Sequence, residues 1–166
     1  MTMVVVDLQI ASEDDDHPPP ANFEQWVKAA IAAHRDDVEL TVRIVDEEES
    51  RHLNDSYRGI NKPTNVLSFP AELPDHIDIP LLGDLVICAP VVAKEAIAQN
   101  KPACSHWAHM VIHGTLHLLG YDHVDDSDAE KMEALEIEIL ASLEIPNPYS
   151  IDNKSVNHQT PRLQED

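Results

Sequence analysis

Two hydrophobic periods alternate along the chain, one near two residues and one near 3.6. In "VVVDLQI", Val4, Val6, Leu8 and Ile10 share one side while Asp7 and Gln9 fall on the other, which is the alternation of a strand with one buried face. "VELTVRIV" places Val38, Leu40, Val42 and Ile44 on one face of a second strand. "NVLSFP" and "GDLVICAP" are short, apolar and rich in β-branched residues, and predict two more strands. The longer period marks helices. Phe23, Trp26, Val27, Ala30 and Ile31 form one amphipathic stripe. Asp46 with Glu49 forms an N-cap pairing that opens a polar helix ending near Tyr57 and Arg58. Pro90 suits the first turn of a helix running to about Gln99. A helix beginning near Ser105 carries a row of histidines. Ser127 with Glu130 reads as the capping box of a last helix, whose core stripe is Met132, Leu135, Ile139 and Leu143.

The order is strand, helix, strand, helix, two strands, then three helices. It predicts an α+β single domain, a mostly four-stranded mixed sheet packed by about five helices. The first strand–helix–strand unit is expected to be a right-handed crossover between parallel strands. "AELPDHIDIPLL" is long enough to join the last two strands as a hairpin connection. The domain is expected to span residues 1–150, and the polar, aperiodic tail 151–166 to be disordered. No run of about eighteen apolar residues is present, so no membrane span is expected. "MTMVVVDLQI" lacks the basic start and small-residue cleavage site of a signal peptide, which predicts a cytoplasmic protein. Cys88 and Cys104 form no CxxC and read as two buried thiols.

Charge changes this picture. The net charge is −20, from 11 basic and 31 acidic residues, which argues against general nucleic-acid affinity. The distribution tells more than the total. Between Ser56 and Ala71 there is no carboxylate, yet Arg58 and Lys62 are there. Between Ala96 and Tyr121 there is again none, yet Lys101 and four histidines are. If the two windows converge, an acidic protein carries one locally positive groove; otherwise both windows are simply buried.

The chemistry is concentrated in "HGTLHLLGYDH", residues 113–123. His113 and His117 lie one turn apart on one helix face. Gly120 can end that helix with φ > 0 and let the chain return His123 toward them. Three neutral imidazoles with an open position form a catalytic zinc arrangement. The spacing matches the metzincin proteases at its histidines and glycine, but Gly114 stands where they carry the general-base Glu. A peptidase is therefore poorly supported. His109 is also four residues from His113, but His123 reaches the end of the helix more easily, so His109 reads as a groove or supporting residue. His106 reads as a surface residue. Gly114 either admits a close backbone or leaves room beside a metal.

"SHWAHMVIHGTLHLLGYDH", "NDSYRGINKPTNVLSFP" and "GDLVICAP" together resemble the YbeY family of bacterial endoribonucleases and ribosomal RNA maturation factors. The resemblance runs from about Val4 to Tyr149. It implies one Zn²⁺ per chain, held by His113, His117 and His123, and makes Arg58 of "YRG" the key basic residue of the substrate groove. It also implies action on single-stranded RNA, in maturing the 3′ end of small-subunit ribosomal RNA and in late ribosome quality control. Implied partners are a small-subunit ribosomal protein and a ribosome-assembly GTPase. Asn61 stands where many members have Asp. On this reading Arg58 pairs bidentately with phosphate oxygens. Lys62 adds a point charge, and His109 lies near the substrate. Asp122, beside His123, orients that imidazole. Asp84 is a partner contact, a groove residue or a strand-end cap. No feature identifies a general base. Two rival readings are a zinc hydrolase of another substrate, such as a peptide, and a non-catalytic assembly factor stabilised by zinc.

Overall fold

The computed structural model describes residues 3–13, 16–74, 76–77, 79–122 and 125–149. Four strands, β1 (Met3–Ile10), β2 (Asp37–Val45), β3 (Val66–Pro70) and β4 (Leu81–Cys88), form one mixed sheet in the order β1-β2-β4-β3. β1 and β2 are parallel, as are β2 and β4, while β3 runs antiparallel to β4. Five helices accompany them: α1 (Pro20–Ile31), α2 (Glu47–Arg58), α3 (Ala89–Ala98), α4 (Ala103–Leu118) and α5 (Asp126–Ser142). The α+β architecture expected from the periodicity is the one observed.

The sheet is buried on two faces, and strand alternation assigns residues to each. Val38, Leu40, Val42 and Ile44 of β2, with Leu85 and Ile87 of β4, join the main core with α1, α4 and α5. Val86 and Cys88 point the other way and pack with Leu67, Leu53 of α2 and Val91 of α3. Phe23 and Trp107 meet edge to face at 5.9 Å and tie α1 to α4. β1 is an edge strand. Val4, Val6 and Leu8 are half-buried, but Ile10 at its end is exposed, which breaks the expected alternation.

Helix ends depart from the sequence reading in detail. Asp46 precedes α2 as expected, but its carboxylate accepts from Ser12 Oγ and the Glu13 backbone N–H rather than capping the helix. Glu49 instead pairs with Arg43 at 2.7 Å. α5 is capped by Asp125, which accepts from the Asp128 N–H at 2.8 Å, and not by Ser127. In both places a short acidic side chain satisfies donors of an adjoining segment: the Ser12 hydroxyl and Glu13 N–H at Asp46, the first-turn Asp128 N–H at Asp125. Cys104 is exposed, contrary to expectation, because it lies in the first turn of α4; Cys88 is buried.

α2 is polar, yet two of its residues are fully buried. Ser50 Oγ donates to the Thr64 carbonyl and accepts from the Thr64 N–H, both at 3.0 Å. Asn54 Nδ2 donates to the Lys62 carbonyl at 2.8 Å. These bonds fasten the connection between α2 and β3 against the helix, satisfying backbone groups that a loop would otherwise expose. Asn61 adds a tie on the outside, accepting from Arg51 Nη1.

Candidate active site

α4 carries its histidines as a row along one side. Successive ring centroids of His106, His109, His113 and His117 are 6.1, 6.2 and 4.7 Å apart. The row begins buried and ends in a cleft. His117 lies in the last turn of the helix, and Gly120, with φ 110°, turns the chain out of it. Gly114 is explained by packing. A Cβ there would sit 2.8 Å from Leu85 Cδ2 and 3.2 Å from Val66 Cγ2, so its absence is what lets α4 lie directly on β3 and β4. Ser68 Oγ donates to the Gly114 carbonyl at 3.0 Å across this contact.

The cleft has a volume of about 480 Å³. One wall is the end of α2 and β3, with Tyr57, Arg58, Thr64 and Asn65. The other is His113 and His117, with Gly120, Tyr121 and Asp122 at the mouth. The two carboxylate-free windows of the sequence therefore converge here. Arg58 is the one Lys or Arg among the described lining residues, and Asp122 the one carboxylate. Gly59, left-handed at φ 73°, ends α2 directly after Arg58 and turns the chain toward β3. Arg43, Arg51 and Lys94 each pair with a glutamate. No carboxylate among the described residues pairs with Arg58.

Beneath the cleft lies a group the sequence reading missed. Glu136 of α5 is fully buried. Its carboxylate accepts from His109 Nε2 at 2.9 Å, from His113 Nδ1 and from the Tyr149 hydroxyl. Burial pushes this carboxyl up, but the hydrogen bonds from His109 and His113 outweigh it and hold it well below the usual carboxylate range. A neutral His113 ring that donates from Nδ1 to Glu136 keeps its lone pair on Nε2, the tautomer a metal ligand needs. A second carboxylate anchors the start of the row. Glu95 accepts from His106 Nε2 at 2.7 Å and from Asn65 Nδ2 at 3.1 Å, linking α4 through α3 to the cleft wall.

His106 is buried, not on the surface, because Glu95 of α3 covers it. His109 is buried against Glu136, with Tyr149 3.1 Å from the same nitrogen, and does not line the cleft. Lys62 is exposed outside the cleft wall; its carbonyl is held by Asn54. Asp84 is exposed in β4, opposite Thr41 and Phe69, and is neither at the cleft nor at a strand end. His123 lies outside the described residues, as does the tail 151–166. Among the described residues no group of three or more His, Cys, Asp or Glu comes together as a metal site. His113 and His117 supply two nitrogens.

Burial pushes the His109 imidazole down to about 4, against the raising influence of Glu136. Its Nδ1 has no hydrogen-bond partner among the described residues, which suits a neutral ring donating from Nε2. The unfolded chain takes up this proton near 6.5, whereas the native state refuses it until about 4. Stability contributed by neutral His109 is therefore present above about 6.5 and lost as pH falls toward about 4. Denaturant unfolding of the chelator-treated protein across this range should show a steeper loss than in His109→Gln. Equal slopes would mean that His109 is protonated in the native protein.

A family model described as Endoribonuclease YbeY matches residues 9–144. The chain is also similar to the solution structure of TM1509 from Thermotoga maritima. The two are 27% identical with a TM-score of 0.54, over 89% of this chain and 99% of that one. No helix among the described residues is long and apolar enough to cross a membrane. The matched span contains both walls of the cleft, and the chain belongs to the YbeY endoribonuclease family.

Proposed function

We propose that this chain is a zinc-dependent endoribonuclease that cuts single-stranded RNA. Its role would be 3′-end maturation of small-subunit ribosomal RNA and late ribosome quality control in the cytoplasm. The observation that carries the reading is the meeting of Arg58 with His113 and His117 in one cleft of a strongly acidic protein. A polyanion is repelled by most of this surface, so a cleft whose guanidinium pairs with no carboxylate among the described residues is where a phosphodiester would be held.

Arg58 presents a planar donor fork that matches two phosphate oxygens and remains charged throughout the reaction. Asn65, held by Glu95, and Ser68, held by the Gly114 carbonyl, keep fixed polar side chains along the same wall. Glu136 orients the His113 ring from behind. His113, His117 and His123 would hold the metal, and three neutral imidazoles favour Zn²⁺ over Mg²⁺ or Ca²⁺. When bound, the ion supplies Lewis-acid stabilisation of charge on the phosphoryl group. Asp122, at the cleft mouth, would orient the imidazole of His123. Partners on this reading are small-subunit ribosomal RNA, small-subunit ribosomal proteins and a ribosome-assembly GTPase.

Purified protein should carry about one zinc per chain and cut unstructured RNA, with both properties lost in His113→Ala and His117→Ala and after chelation. His109→Ala should retain zinc. Full zinc content in either of the first two variants overturns the ligand assignment. The charge of −20 favours one other reading, a non-catalytic assembly factor that meets basic ribosomal proteins through its acidic surface. Zinc-loaded protein that binds ribosomal subunits but leaves RNA intact would establish that reading instead.

A further inference from the structure

We infer that Tyr57 is a stacking platform for a nucleobase next to the phosphate held at Arg58, an inference that rests on the endoribonuclease reading above. Tyr57 lines the cleft and is 53% exposed, so its ring is open to a ligand that enters there. It is not loose. Its ring is backed by Phe69 of β3, centroid to centroid at 4.4 Å. Phe69 in turn packs on the core cluster of Leu67, Val86 and Cys88. The platform therefore has a fixed base in the sheet and an open side in solvent.

Tyr57 precedes Arg58 in the last turn of α2, so one helix end presents a π-face and a cation side by side. That pairing matches one nucleotide unit: a ring for the base and a guanidinium for its phosphate. Every base has a π-face, so stacking grips single strands with little regard to sequence, while a duplex keeps its bases stacked on one another and cannot offer one. The platform thus makes the cleft selective for unpaired RNA. A free phosphate would use Arg58 but leave the Tyr57 ring uncovered.

The test is steady-state cleavage of a short unstructured RNA and of the same RNA carrying one abasic position, walked across the cleavage site. Tyr57→Ala should raise KM about 10–100-fold, the scale of removing one base–aromatic stack, with kcat changed far less. Tyr57→Phe and Tyr57→Trp should restore most of the affinity. With wild type, the abasic residue should do the same damage at one position beside the cut. With Tyr57→Ala, the abasic residue at that position should do no further damage, because the stack is already gone. Losses that multiply at every position, or an unchanged KM in Tyr57→Ala, overturn the inference while leaving the endoribonuclease reading intact. Failure of wild type to cut any of these RNAs overturns both.

Discussion

Arg58→Ala will cut RNA cleavage by about 10²–10³, the scale seen when one oriented donor to a developing charge is removed. The fold should be unaffected, because Arg58 is exposed in the last turn of α2 and no carboxylate among the described residues depends on it. Zinc content should be unaffected too, since a guanidinium is no ligand. Arg58→Lys should recover little, because an ammonium cannot present two parallel donors to two phosphate oxygens. The contrast with Arg51 makes the experiment specific. Arg51 lies on the same helix, but its guanidinium is paired with Glu48 and bonded to Asn61. Arg51→Ala should lose little of the cleavage rate. The measurement is kcat/KM on unstructured RNA, with zinc determined in the same preparations. Wild-type cleavage by Arg58→Ala would remove Arg58 from the reaction and shift weight to the assembly-factor reading. Association with ribosomal proteins through the acidic surface should survive both Arg58 changes.

Much of this fold was legible because its signals are local. The strands of the main core alternate in a way that only a sheet explains, and Phe23 to Ile31 repeat in a way that only a helix explains. Gly120 marks the end of the histidine helix because glycine takes a positive φ without strain. The cleft was half legible through charge: two stretches without carboxylates in a protein of net charge −20 fit one positive groove or two buried segments equally well, and only the fold brings them to one cleft. What escaped was the pairing between distant segments. In sequence Asp46 reads as a helix cap, but Ser12, far away along the chain, claims it. His106 reads as surface because its partner, Glu95, belongs to another helix. The stripe of α5 reads as Met132, Leu135, Ile139 and Leu143, whereas the deepest positions are Met132, Glu136 and Leu140. Their spacing of four was visible in the sequence. A glutamate between two core residues breaks the apolar pattern, and such a break signals a buried acid with partners elsewhere. A row of four histidines without nearby carboxylates supplies the matching donors.

Glu136 is where that unread pairing has its largest consequence. Glu136→Ala should destabilise the protein by about 3–5 kcal/mol, the combined effect of buried donors left unsatisfied and a cavity left in the core. The loss has two parts: His109, His113 and Tyr149 all lose their acceptor, and a void opens between α4 and α5. Thermal unfolding should register it as a fall on the order of 10 °C for a chain of this size. Glu136→Gln separates the structural part from the chemical one. It keeps the volume and can accept from one histidine, but its amide group faces the other with a donor against a donor. The fold should persist, and His113 should lose the anion that fixes its tautomer and enriches its Nε2. Zinc affinity, measured by chelator competition, should then fall about 10–100-fold, as when a carboxylate behind a histidine ligand is lost. Tyr149→Phe removes one donor to Glu136 but leaves the His113 contact in place, so it should retain more zinc affinity than Glu136→Gln. If Glu136→Gln holds zinc as tightly as wild type while Glu136→Ala is merely less stable, the carboxylate serves the packing of α4 on α5 alone.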